Sequence, residues 1–213
     1  MGRIIRIFAA AMILLAFPCG TPAFAAGRVT PEQMQEEIRR AREQNDPEAW
    51  CNIGAASMMG AGGLPMDYKN AEQAFRRAAD AGHPRAQYFL AVCLRREGGD
   101  LVEAASWLRR AADAGVPQAI YRLAADAYEG TGFFSGKNKG LSAVYFRKLV
   151  EGDFDDVPEA VIGDAYLKLS HQYRWGKGVE KDIDLADRYL RESEKRGNED
   201  AAYLISQWLA NPA

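Results

Sequence analysis

"RRAADAGHPRA" occupies Arg76–Ala86 and "RRAADAGVPQA" occupies Arg109–Ala119; nine of eleven positions are identical at an offset of 33 residues. A phrase repeated after a few tens of residues marks a stacked architecture, in which each unit docks on the next through the same contacts. Treating Ala86 and Ala119 as equivalent extends the register to Ala49, Ala165 and Ala201, at spacings of 37, 33, 46 and 36 residues.

Each unit resolves into two helices. Helix A starts near the reference alanine and carries an apolar residue four positions later: Ile53, Leu90, Leu123, Leu169 or Ile205. Glycine pairs end it at Gly60 and Gly62, Gly130 and Gly132, and Gly176 and Gly178. Helix B opens at an aspartate suited to N-capping, Asp67, Asp100 or Asp182. It then sets a small residue beside an aromatic on one face: Ala71 with Phe75, Ala104 with Trp107, Ala186 with Tyr189. Gly82, Gly115 and Gly197 stop helix B, and Pro84 and Pro117 restart the pattern at sites where a missing amide costs little. The repeated phrase is therefore the second half of a helical hairpin plus its hinge.

These residues resemble the Sel-one-like repeat family, a branch of the tetratricopeptide-like solenoids with units of about 36 residues. Tyr173, Gly176, Gly178 and Val179 in unit four carry the pattern, as do Gly54, Gly60, Gly62 and Asp67 in unit one. The resemblance implies an all-α, right-handed α-solenoid of antiparallel helix pairs: about four repeats (46–84, 85–117, 118–157 and 158–198) between terminal caps. Residues 26–45 read as a linker and capping helix, with a capping-box start at Thr30-Pro31-Glu32-Gln33. Residues 199–213 read as a final helix whose Tyr203, Leu204 and Trp208 cover the last hairpin. Departures fall where "RREGGD" replaces the glycine turn of unit two, where Asp153 replaces a closing glycine, and where "FDDVPEAVIGD" is inserted, so the stack is expected to be irregular over 131–164.

The N-terminus has the form of a cleaved export signal. Arg3 and Arg6 precede an apolar run from Ile7 to Phe17, and Ala23-Phe24-Ala25 supplies a small-x-small cleavage site. The run is too short to cross a bilayer as a helix, so no membrane insertion is expected after cleavage. The expected location is periplasmic or secreted. Loss of two arginines from 27 Lys+Arg, against 29 Asp+Glu, takes the formal net charge from −2 to −4 and gives no reason to propose nucleic acid as a partner. Cys51 and Cys93 remain, in registers that should point apart, which leaves a bridge between them open.

Local motifs for catalysis, cofactors or metals do not emerge. No Cys-x-x-Cys, His-Glu-x-x-His or Ser-x-x-Lys occurs. "GTGFFSGKN" fails as a phosphate loop on spacing, with Asn138 where Ser or Thr should meet magnesium. Asp153, Asp155 and Asp156 lack the order of a calcium loop. His83 is expected to cap a helix, and Trp50 and Trp107 to be core.

The resemblance also implies that first-helix side chains line the inner surface. That register selects Arg85, Tyr88, Arg95 and Arg96 in unit two, Tyr121, Tyr128 and Glu129 in unit three, and His171, Arg174 and Trp175 in unit four. Arginine and aromatic residues are the types enriched at binding hot spots; the bland alternative is packing for the tyrosines and a solvated face for the arginines. The expectation is a non-enzymatic scaffold whose concave groove holds a protein or peptide segment of acidic character. A cell-wall or β-lactam-directed hydrolase and a structural subunit of an envelope complex are the alternatives. No cofactor is expected, and oligomeric state is left open.

Overall fold

The computed structural model describes residues 29–96, 99–132, 134, 136–154 and 157–210. The expected export signal, Asp155 and Asp156 lie outside them. The chain forms two compact units that divide between Val116 and Pro117. The first holds α1 (Pro31–Gln44), α2 (Pro47–Met59), α3 (Tyr68–Asp80), α4 (Pro84–Leu94) and α5 (Leu101–Asp113). The second holds α6 (Pro117–Glu129), α7 (Lys139–Glu151), α8 (Glu159–Trp175), α9 (Ile183–Lys195) and α10 (Glu199–Ala210). There is no strand among the described residues, and within each unit consecutive helices pack on one another.

The alanine register is the spine of the packing. Ala49, Ala86, Ala119, Ala165 and Ala201 are all fully buried, and of the apolar residues four later all but Ile205 are buried too. The aspartates cap as their chemistry requires: Asp67, Asp100 and Asp182 carboxylates accept amides of the first turns of α3, α5 and α9. A second device ties each turn together. The N-cap amides of Asp67, Asn138 and Asp182 donate to the carbonyls of Ser57, Ala127 and Tyr173, each eight residues beyond its reference alanine. Asn138, the failed magnesium residue, is thus the N-cap of α7, and its Oδ1 accepts the Leu141 amide at 3.0 Å.

Helix B closes by one repeated geometry. Gly82, Gly115 and Gly197 have φ of 88°, 86° and 74°, and the amides after them (His83, Val116 and Asn198) bond back to Ala78, Ala111 and Ser193. This is a left-handed Schellman closure, which favours glycine. Unit three lacks it, since α7 ends at Gly152 with an extended backbone. Even so, 131–164 is more regular than the sequence suggests, because α7 starts at Lys139 and α8 absorbs the end of the insertion into a 17-residue helix.

In the first unit, Val29, Met34 and Ala41 of the N-terminal segment join Ala49, Ile53, Ala56 and Ala74 in one apolar cluster, so α1 covers the first hairpin. The Thr30 hydroxyl accepts the Gln33 amide and Gln33 Oε1 accepts the Thr30 amide, completing the capping box. His83 caps α4, its Nδ1 accepting the Ala86 amide, while Nε2 lies 2.7 Å from Glu48 on α2. At the far end, Trp208 lies under Arg174 of α8. α10 buries Ala201 fully, but Tyr203 is 63% exposed, since its position on the helix points it away from α9. Trp50 is only half-buried, its indole N–H donating to Asn45 and its ring under Arg77, whereas Trp107 is buried. The Cys93 thiol is free and buried, so no bridge joins it to Cys51.

Candidate partner-binding face

In the second unit, one stripe of α8 carries Asp164, Lys168, His171 and Trp175 at helical spacing, and the facing stripe of α6 carries Tyr121 and Tyr128. The two stripes are cross-linked. The Tyr121 hydroxyl donates to Asp164 Oδ2 at 2.9 Å, and the Tyr128 hydroxyl shares a 3.2 Å hydrogen bond with His171 Nδ1. Phe146 of α7 supports both tyrosines from below, with edge-on centroid distances of 6.2 Å. Lys168 pairs with Asp164 at 3.4 Å, one helical turn away.

A third element completes the face. Lys139, the first residue of α7, places Nζ 2.9 Å above the Tyr128 centroid, and Lys168 Nζ stands 5.1 Å from the same centroid. The Lys139 backbone is anchored by buried Gln172, whose Nε2 donates to the Lys139 carbonyl at 2.6 Å and to the Lys177 carbonyl at 3.4 Å. The turn after α8 abuts the start of α7 so closely that a Cβ on Gly178, at φ 80°, would meet the Gly140 amide nitrogen at 2.3 Å. Only glycine fits.

The charge around this ladder is positive. Burial lowers the His171 pKa, and Lys177, Lys139 and Lys168 lower it further, so the imidazole is neutral at neutral pH. Burial also pulls the Lys139 ammonium down to about 8, opposed by Glu129 and assisted by Lys137, Lys177 and Lys168. Burial raises the phenols of Tyr121 and Tyr128, and nearby carboxylates add to it. Neither tyrosine is thereby activated as a nucleophile. Among the described residues, no three His, Cys, Asp or Glu side chains gather as metal ligands, and no helix is long and apolar enough to cross a membrane.

The residues selected from sequence divide as follows. Tyr121, Tyr128 and His171 come together; Trp175 edges onto His171 at 6.5 Å and is 58% exposed; Glu129 is exposed nearby. Arg174 is corrected. Its side chain turns inward, the guanidinium 3.7 Å over the Trp208 ring and 3.8 Å from Asp187, so it clamps α10 instead of facing a partner. Tyr88 is also corrected: it is buried against Phe89 because its position on α4 faces the core of the first unit. Arg85 and Arg95 are half-buried, and Arg96 is exposed with its guanidinium stacked 3.7 Å over Tyr68. Sequence reading missed Lys139, Asp164 and Lys168. The i, i+4 spacing of Asp164 and Lys168 was a usable signal, but Lys139 belongs to a different helix and register.

No protein-family model and no curated protein matches the chain. Solved structures do. A Sel1 repeat protein from Oxalobacter formigenes superposes with a TM-score of 0.70 at 24% identity, over 84% of this chain and 50% of that one. The protective antigen c5321 of uropathogenic Escherichia coli, which displays an SLR fold, superposes with a TM-score of 0.54 at 23% identity, over 89% and 48%. The chain thus spans about half the length of each. Together with the ten helices among the described residues, the likeness shows that this chain has the all-α helical-repeat solenoid fold of Sel1 repeat proteins.

Proposed function

We propose that this chain is a non-catalytic, exported interaction scaffold that holds a protein or peptide segment on the α6–α8 face. The observation that carries the reading is the exposed Trp175 indole beside a ladder whose polar atoms already bond one another. Tyr121 is bonded to Asp164, Tyr128 to His171 and Lys168 to Asp164, so the surface is rigid before a partner arrives. Preorganised aromatic anchors lose little entropy on association and give specificity through shape and charge. The tyrosines with raised pKa and the neutral histidine suit recognition better than nucleophilic attack. The basic, apolar and small-x-small order of residues 3–25 supports export to the periplasm or beyond.

The test is site-specific photocrosslinking in the native envelope. A photoreactive residue at position 175 is compared with one at Val144, which is equally exposed at 58% but lies on α7. A discrete adduct from 175 and none from 144 is expected. Equal adducts, or none from 175, reject the face. N-terminal sequencing of the recovered protein checks export; a start at Ala26 is expected.

A further inference from the structure

Two ammonium groups converge on one ring. The distances of Lys139 Nζ and Lys168 Nζ to the Tyr128 centroid keep the nitrogens within about 8 Å of each other, no more than a Debye length at physiological salt. Lys177 adds a third positive charge felt at His171. Against them stand Asp164, already shared between Lys168 and the Tyr121 hydroxyl, and the exposed Glu129. The ring offsets only part of this repulsion, because a cation–π contact is weaker than an ion pair in a half-buried site. The backbone of Lys139 is pinned beside the ring by Gln172 and by the close approach of Gly178 to Gly140, so the start of the side chain is fixed there.

We propose that Lys139 and Lys168, flanking the Tyr128 ring, seat the carboxylate of an acidic side chain in a bound peptide segment, with Trp175 receiving an apolar neighbour of that side chain. The inference rests on the scaffold reading above and names the chemistry of its partner. Complementarity carries it: a carboxylate relieves the lysine–lysine repulsion and needs no rearrangement of the tyrosine–histidine ladder. Binding would restore the proton affinity of Lys139, which burial depresses while Glu129 on α6 opposes and Lys137, Lys168 and Lys177 assist.

The probe is a fluorescent dodecapeptide of alternating Glu and Leu, paired with its Gln-for-Glu counterpart, with binding read by anisotropy on the full mature chain. The acidic peptide should bind, its counterpart should not, and affinity should fall as salt rises. Lys139→Gln with Lys168→Gln should weaken binding about tenfold or more. Lys195→Gln, the same charge change on α9, should leave it unchanged, and Lys139→Arg with Lys168→Arg should retain it. Circular dichroism confirms that each variant is folded. Equal losses from Lys195→Gln and the double Gln variant, or wild-type binding by the double Gln variant, overturn the proposal. If position 175 still crosslinks a partner in that case, the scaffold reading survives and the carboxylate seat does not.

Discussion

Phe75 presses on the backbone of Gly54 so closely that a Cβ built there would stand 2.7 Å from two ring carbons. The ring is fully buried and stacks on Phe89 at 5.2 Å, so it has nowhere to retreat. Glycine at this position is therefore a packing requirement between α2 and α3. Gly54→Ala should destabilise the fold by about 1–3 kcal/mol through overpacking, read as a lower urea midpoint. A neutral result would show that Phe75 can shift.

The aspartate caps make a second prediction. Asp67→Ala leaves the amides of Lys69 and Asn70, which the carboxylate accepts at 2.9 and 3.1 Å, without that partner. A loss of about 1 kcal/mol is expected, and Asp67→Asn should avoid most of it because its amide oxygen can still cap. Thermal unfolding of the two variants side by side measures the difference.

His171 gives a pH dependence. Its folded pKa lies below the ordinary 6.5, so the unfolded chain binds the proton more readily. Stability from this site is therefore complete above pH 6.5 and is lost as pH falls through 6.5 toward the folded pKa. His171→Gln should reduce the drop in unfolding midpoint between about pH 7.5 and about pH 5 relative to wild type. An unchanged drop would show that other groups dominate.

Arg174 ties the last helix down. Its guanidinium covers Trp208 and approaches Asp187, and its side chain is only 11% exposed. Arg174→Ala should cost about 1–2 kcal/mol and raise hydrogen exchange in α10 more than in α6. Uniform exchange in both helices would contradict the clamp.

Cys93 should be inert. Burial raises its thiol to about 12, with Glu72 adding to the shift and Arg96 opposing it. Alkylation at neutral pH should spare Cys93 in the native protein and modify it after denaturation, as peptide mass mapping would show.

Helix starts, stops and the alanine spine were legible in the sequence. Capping, glycine closure and 3.6-residue periodicity act over a few neighbouring residues, so Asp67, Gly82 and Ala86 announce their roles locally. The insertion before α8 was harder to read, because its last residues simply continue a helix that begins earlier than the repeat register implies. Tyr88 and Arg174 matched the pattern of an outward face, yet the rotation of their helices and the presence of Phe89, Trp208 and Asp187 turned them inward.

From its sequence alone, then, this protein is a chain of helical pairs with a known register, because each element is specified by side chains close along the backbone. The tertiary structure decided which of those side chains meet. Tyr128, Lys139, Lys168 and His171 come from three helices and become one charged, aromatic face only when α6, α7 and α8 pack. The reason is physical: local patterns set where a helix begins and ends, whereas the contacts between helices depend on their mutual rotation and spacing, which no short stretch encodes.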